Sequence, residues 1–305
     1  MVLESIIDPE QARKNPSLLF VDSLILSTVC LFVSYYVFQQ SASMLNIAFI
    51  TFAFVPILSQ IFKEEEEKEA EHPGSSLGFL SRHSPLIGFF GWMFLGIVVS
   101  YAFWYLVLPA TAATFCFGGS CVPLPSSEVV FKDQLQTIGS INSINAHIAG
   151  QASFLPAQCK DFWAYFKLIL VNNESVLMLA ILFSFIFGAG AIFIIAWNAS
   201  VLGVKIGTEA AVLSQVYGTG FLETMMGFAQ GLFNSLARVP YGIFEIPGFF
   251  VGAIAGGIIS IAVTKKKYHS HEFRTIAKDA LFLTMLAAVL IVVGAAIEAY
   301  LISLC

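Results

Sequence analysis

Charged side chains are scarce in this sequence, and their scarcity decides its broad class. Asp, Glu, Lys and Arg together make up 11% of the 305 residues, whereas a soluble globular domain carries roughly 25%. Hydrophobic residues make up 57% of the chain, and the mean hydropathy is +0.82. A water-soluble fold is therefore excluded, and the sequence predicts an integral membrane protein.

Basic residues and cysteines are also few. The 15 Lys and Arg residues are outnumbered by 20 Asp and Glu residues, so the chain lacks the basic surplus that nucleic-acid binding requires. The five cysteines do not have the paired spacing of a zinc site and are too few for a disulfide scaffold. We therefore expect no nucleic-acid partner, no metal and no cofactor.

Sequence motifs of intramembrane and nucleotide-dependent enzymes are missing as well. The chain contains none of the patterns HExxH, GxGD, GxSxG and the P-loop. Its five histidines fall in segments predicted to be loops, where solvation is a sufficient explanation: His72, His83, His147, His269 and His271. We expect a protein that is not an enzyme.

Long apolar stretches are what the chain has in abundance. A helix needs about 20 mostly apolar residues to cross the roughly 30 Å hydrocarbon core of a bilayer. Six stretches meet that length: Leu18 to Phe38, Met44 to Phe62, Leu86 to Leu108, Val176 to Trp197, Tyr241 to Thr264 and Ala280 to Leu304. The first two are predicted to form a tight hairpin, followed by an acidic segment from Lys63 to Pro73. A solvated helix extension or loop explains that segment, and a docking site for a basic partner is the alternative.

The stretch from Val201 to Leu236 is ambiguous, because Lys205, Glu209 and Glu223 interrupt it. Basic residues accumulate in cytoplasmic loops, so their distribution discriminates between a crossing and a fold-back. A crossing puts eleven basic residues on one side: Arg13, Lys14, Lys63, Lys68, Arg82, Lys205, Lys265, Lys266, Lys267, Arg274 and Lys278. We therefore predict an all-α bundle of about seven spans, with the fifth broken, in the cell membrane. The N-terminus is expected in the cytoplasm and the C-terminus outside.

The longest extramembrane segment, 109–175, is predicted to lie outside the cell. It opens with Cys116 and Cys121, which are close enough for a small disulfide loop, although Cys159 could compete for either partner. Apolar residues from Phe131 to Ile148 recur at helical spacing and predict one amphipathic helix. An aromatic cluster from Phe162 to Phe166 predicts a second, short helix lying flat on the membrane surface.

Glu245 is the main candidate for a functional residue. A charge within the bilayer costs roughly 2.5 to 3.5 kcal/mol on insertion scales. Gly248, Gly252 and Gly256 follow Glu245 on the same helical face, and such glycines allow a neighbouring helix to come close. We therefore expect Glu245 to point into the bundle and to be either protonated or paired. The partners considered are Tyr241, Arg238, Asn198 and Lys205, and both a structural polar clamp and a transport role remain open.

Other polar and small residues receive more modest interpretations. Asn198 is predicted to close a turn between two helices, and Gly188 to allow close packing midway along the fourth span. Glu298 lies within two turns of the C-terminus, so an interfacial position is favoured over a functional one. Glu223 lies in the broken fifth helix, where it would be a candidate functional residue if the protein is a transporter.

Between about Phe166 and Val263 the sequence resembles the stage II sporulation protein M (SpoIIM) family. The resemblance rests on the order of its pieces: Asn172-Asn173 before a span, Gly188 within it, Asn198 and Leu202-Gly203 after it, and PYGIFEIPG from Pro240 to Gly248. It implies a membrane core of five helices over residues 86–305, preceded by a hairpin and acidic loop over 1–85. Family members commonly have histidine where this chain has Tyr241, which weakens any His/Glu metal or relay proposal.

The resemblance also implies, by analogy, participation in membrane-associated assemblies. The leading hypothesis is accordingly an integral membrane scaffold or assembly factor of unknown biochemical activity, surrounded by lipids and bound to protein partners or to itself. The alternative is a transporter or channel for an ion, a small solute or a lipid that uses Glu245 and a broken helix.

Overall fold

The computed structural model describes residues 15, 17–71, 84–111, 113–140, 161–187, 190–217, 220–238, 241–264 and 271–304. Some side chains at helix ends, including those of 62–71 and 235–238, are outside this description. The described elements, in chain order, are α1 (Leu18–Val37), a 3-10 turn (Gln39–Ser41), α2 (Ala42–Glu71), α3 (Ser84–Val107), β1 (Ala113–Phe117), β2 (Ser120–Leu124), α4 (Ser127–Val130), α5 (132–140), α6 (Phe162–Phe187), α7 (Ala191–Tyr217), α8 (Phe221–Arg238), α9 (Gly242–Thr264) and α10 (His271–Ser303).

Seven of these helices are long and apolar enough to cross a membrane, which confirms the predicted number of spans. They are α1, α2, α3, α6, α7, α9 and α10. Helix α8 is not among them. The protein is therefore an all-α, multi-pass membrane bundle, as predicted.

The boundaries of the fourth and fifth spans differ from the prediction. A single fourth span from Val176 to Trp197 was expected, but α6 ends at Phe187 and α7 begins at Ala191. Asn198 therefore lies inside a continuous helix, and its predicted role in a turn is wrong. The physical reason is that the sequence is almost entirely apolar just before and just after this break, over 176–187 and 191–197, so hydropathy alone does not reveal where one helix ends. Gly188 lies outside the described residues.

The stretch 201–236 is interrupted, but the interruption separates two helices. Helix α7 crosses without a break from Ala191 to Tyr217, and α8 begins at Phe221. Gly227 and Gly231 of α8 approach Ser214 and Ala210 of α7. Helix α8 is therefore antiparallel to α7 and returns along it toward the bundle.

The aromatic cluster at 162–166 does not form a separate surface helix, because it is the first turn of α6. The apolar residues that follow it, from Leu168 to Val171, continue the same helix, which is 26 residues long. The other predicted loop helix is present as α4 and α5 over 127–140. Phe131 is fully buried, and Leu135 and Ile138 pack against the core, while residues 141–148 lie outside the description.

A β-hairpin follows α3. Strands β1 and β2 pair antiparallel, and Gly118 and Gly119 make the turn with φ values of 59° and 87°, a conformation that glycine adopts without a steric cost. Cys116 and Cys121 are opposite each other in the register and are joined by a disulfide. We call the end of the bundle that carries this hairpin the loop face.

Close contacts at glycines define the directions of the helices. Gly203 and Gly207 of α7 approach residues 98–105 of α3 in ascending order, so these two helices run in parallel toward the loop face. Gly252 and Gly256 of α9 approach Leu177 and Ile181 of α6 in the same sense, so both of these helices run away from it. Helix α10 is antiparallel to α9. Helices α6, α7, α9 and α10 therefore enclose one half of the bundle.

Candidate functional site

A polar cavity of about 300 Å³ lies among α6, α7, α9 and α10. Its polar lining combines two carboxylates, three amides, a phenol and an ammonium group: Glu245, Glu298, Asn172, Asn173, Asn198, Tyr241 and Lys205. Apolar side chains complete the wall, as is usual for small-molecule sites. The cavity therefore concentrates most of the intramembrane polar chemistry that the sequence analysis singled out.

The cavity lies well inside the span and not at its edge. Asn173 follows the start of α6 by eleven residues and precedes its end by fourteen, which corresponds to about 16 Å and 21 Å along the helix axis. Lys205 lies near the middle of α7. Ionisable groups at this depth are costly unless they have partners or a function.

Glu245 obtains its partner from α6. The Asn173 side-chain amide donates to Glu245 Oε1 over 2.7 Å, and Asn172 Nδ2 donates in turn to Asn173 Oδ1 over 3.3 Å. Only 8% of the Glu245 surface is exposed. The expectation that Glu245 points into the bundle therefore agrees with the structure, whereas the donor is none of the four residues considered from the sequence.

Helix α10 provides the space for the Glu245 side chain. A Cβ atom built at Gly294 would overlap Cγ of Glu245. Glu245 therefore lies directly against the α10 backbone at a position where any side chain would displace it. Sequence reasoning missed Gly294, because an isolated glycine in a long apolar helix gives no local signal of what packs against it.

Glu298, which the sequence analysis set aside, lines the same cavity as Glu245. The Tyr241 hydroxyl donates to the Glu298 carboxyl group, and the Lys205 ammonium acts on that carboxyl group electrostatically. Tyr241 was expected to donate a hydrogen bond to Glu245, one turn away on its own helix. It donates instead to a carboxylate on α10, because α10 packs antiparallel against the start of α9.

The start of α9 is itself directed into the cavity. The Tyr241 carbonyl accepts from the amides of Phe244 and Glu245 over 2.9 and 3.1 Å, which marks the first turn of the helix. The N-terminus of a helix carries unpaired N–H groups and a partial positive charge. This charge favours the carboxylate of Glu245, which lies in that first turn.

The glycines that follow Glu245 all face protein. Gly248 approaches Ala287 and Ile291 of α10, while Gly252 and Gly256 approach α6. All three are buried. They hold α9 between α6 and α10, which brings Asn173, Glu245 and Gly294 together.

The remaining predicted site residues are distributed differently. Asn198 lines the cavity and donates to the Ile194 carbonyl of its own helix over 2.8 Å. Glu223 lies beside Gly220 at the start of α8 and does not line the cavity. The side chain of Arg238 is outside the described residues, so its proposed pairing with Glu245 has no structural test.

The chemistry of the lining suits a small polar ligand. The carboxylates accept hydrogen bonds or balance a cation, and the Lys205 ammonium balances an anion. The amides both donate and accept hydrogen bonds. Within the described ranges, no three His, Cys, Asp or Glu side chains are grouped in a way that would hold a metal ion.

These features define a polytopic helical membrane protein with a polar site between its spanning helices. The family model of stage II sporulation protein M, SpoIIM, matches residues 23–302 of the chain, which is nearly its whole length. The protein therefore belongs to the SpoIIM family. No curated protein and no solved structure matches the chain.

Proposed function

We propose that this protein is a membrane carrier that binds a proton or another small cation in the cavity between α6, α7, α9 and α10. The observation that carries the proposal is the presence of Glu245 and Glu298 together in one cavity of about 300 Å³. Two carboxylates face one ammonium group there, so the cavity favours a ligand that brings positive charge. Such a volume accommodates a small molecule or a hydrated ion.

The discontinuity between α8 and α9 supports the same proposal. Many secondary transporters bind their coupling cations where a helix is interrupted within the span, at the C-terminal end of the first half-helix. Here α8 ends at Arg238 and α9 begins at Gly242, next to the cavity. A structural clamp needs one pair of polar groups, whereas this cavity gathers seven.

Proton-coupled flux tests the proposal with a conservative variant. Glu245→Gln keeps the shape of the side chain and an oxygen that accepts from Asn173, but it cannot exchange a proton. Wild-type protein in liposomes loaded with a pH-sensitive dye should acidify the lumen under an inward proton gradient and a potassium diffusion potential that is negative inside. We expect Glu245→Gln to reduce this flux to the level of protein-free liposomes.

The matched control is Glu128→Gln, which alters an exposed carboxylate on α4 that does not line the cavity. Its flux should equal that of the wild type, and both variants should keep the wild-type elution volume in detergent. Equal flux in wild type and Glu245→Gln, or no flux above protein-free liposomes, would count against a proton-coupled carrier.

A scaffold or assembly factor is the second candidate. The feature that favours it is a set of exposed apolar side chains on α8, a helix that is not among the candidate spans: Phe221, Leu222, Met226 and Phe233. Exposed apolar patches are typical of contact surfaces, whether for lipid, a protein partner or a second copy. If reconstituted protein moves no protons and is recovered from detergent with a partner or as an oligomer, this candidate is favoured.

For orientation, we propose that the loop face lies outside the cell. The basic residues between α9 and α10 follow Thr264, at the end of α9 away from the loop face. The positive-inside rule favours the cytoplasm for that end. The N-terminus, which precedes the parallel helices α1 and α3, would then be cytoplasmic, and the C-terminus would be outside.

A further inference from the structure

The other half of the bundle contains a group of buried polar atoms without hydrogen-bond partners. Among the residues that the structure describes, nothing pairs with these atoms: Ser27 Oγ, Asn46 Nδ2 and Oδ1, Ser100 Oγ, the Tyr101 hydroxyl and Gln134 Oε1. All five side chains are at most 2% exposed. Buried polar groups are almost always satisfied, so a cluster of exceptions requires an explanation.

Two helix contacts place the serines at the same height. Ser23 of α1 contacts Gly96 of α3, and Trp104 Nε1 donates to Thr28 Oγ1 over 2.9 Å, so α1 and α3 run in parallel. Ser27 and Ser100 each lie four residues beyond the first of these contacts. They therefore belong to one layer of the bundle.

Helix α2 contributes Asn46 to this layer. The rings of Phe54 on α2 and Phe89 on α3 pack at 5.9 Å. Helix α2 follows α1 through a tight turn and is antiparallel to it, and therefore also to α3. Asn46 lies eight residues before Phe54, and Ile97 lies eight residues after Phe89. Asn46 is thus level with Ile97 of α3, about one turn from Ser100 and Tyr101.

The loop helix α5 and helix α7 complete the layer. Gln134 Nε2 donates to Ser200 Oγ over 3.2 Å, while the ring of Tyr101 packs against Phe131 at 5.4 Å. Gly203 of α7, one turn beyond Ser200, approaches Tyr101. Residues 131–134 therefore enter the bundle beside Tyr101, although they belong to the segment outside the spans.

We propose that this layer is a hydrated internal site occupied by a cluster of ordered water molecules. Both kinds of hydrogen-bonding group are left open, because Asn46 presents a free donor as well as a free acceptor. Water satisfies donors and acceptors together, whereas a cation satisfies acceptors alone. The site is distinct from the cavity around Glu245, since none of its five residues lines that cavity.

Serine-to-alanine variants test the site through the sign of a stability change. If the layer is dry, Ser27→Ala and Ser100→Ala each remove an unpaired buried hydroxyl and should raise the melting temperature in detergent. If water fills it, each variant removes a partner of that water, and we expect a fall of a few degrees. Alanine is smaller than serine, so neither variant introduces a clash.

Ser34→Ala is the matched control on α1. Ser34 is fully buried, and its hydroxyl donates to the Leu31 carbonyl of its own helix over 3.0 Å. It gives the baseline for losing a hydroxyl that already has a partner. Falls at Ser27 and Ser100 at least as large as this baseline support the hydrated site, and smaller falls or rises overturn it.

The identity of the occupant is tested by exchanging salts at constant ionic strength. A water cluster predicts the same wild-type melting temperature in sodium, potassium and choline chloride. Stabilisation that is specific to sodium or potassium and disappears in Ser27→Ala would overturn the proposal in favour of a cation site.

Discussion

Glu245 can lie against α10 because residue 294 has no side chain. Asn173 fixes one carboxylate oxygen from α6, and Gly294 leaves room for the methylene groups from the other side. The position of the carboxylate therefore depends on residues 72 positions before it and 49 positions after it.

Gly294→Ala should displace Glu245 and destabilise the protein by about 1–3 kcal/mol, the usual cost of adding a methyl group to a packed core. A double-mutant cycle of melting temperatures identifies the cause. In a Glu245→Ala background the overlap is absent, so Gly294→Ala should reduce the stability only slightly. The coupling energy between the two substitutions should then be about 0.5–3 kcal/mol. An unchanged cost in both backgrounds would show that Glu245 is not what the added methyl group meets.

At the scale of elements, the packing of α9 against α6 positions the site. A Cβ atom at Gly256 would overlap the backbone oxygen of Ile181, which cannot move without shifting α6. A Cβ atom at Gly252 would instead meet the end of the Leu177 side chain, which can rotate away. The two glycines of one ridge therefore have different tolerance to substitution.

Gly256→Ala should lower the melting temperature in detergent by an amount corresponding to about 1–3 kcal/mol, because helix backbones must separate. Gly91→Ala is the control, since a Cβ atom there meets nothing within 4 Å. It should leave stability unchanged or raise it by about 0.5–1 kcal/mol, the helix-interior preference for alanine. Equal effects at the two positions would contradict the packing described for α6 and α9.

For the whole molecule, the arrangement places the hairpin at one end of the bundle, and the end of α9 and the start of α10 at the other. Lys132, on the loop helix α5, and Arg274, at the start of α10, are both exposed. Under the proposed orientation they face opposite sides of the membrane.

A membrane-impermeant maleimide applied to intact cells tests this arrangement in a background where Cys159 and Cys305 are serine. Lys132→Cys should be labelled and Arg274→Cys should be protected, and permeabilising the cells should expose both. The reverse pattern would invert the orientation, and labelling of both in intact cells would contradict a bundle whose two ends lie on opposite sides.

Predictability from the sequence also differed between scales. The seven spans could be predicted, because apolar length is a local property of each segment. The boundary between α6 and α7 could not, because the sequence is apolar on both sides of it. Glu245 could be placed inside the bundle from the glycines on its own face, whereas Asn173 and Glu298 could not be assigned to it.

The sequence by itself determined the membrane environment, the number of crossings and the inward face of α9, because each follows from composition or from spacing within one helix. The tertiary structure alone decided which polar groups meet. Asn173, Tyr241, Glu245 and Glu298 come from three helices, and the antiparallel packing of α10 against α9 sets which carboxylate each donor reaches. The hydrophobic signal that inserts a helix is insensitive to its rotation and neighbours, so only close packing between helices fixes such pairings.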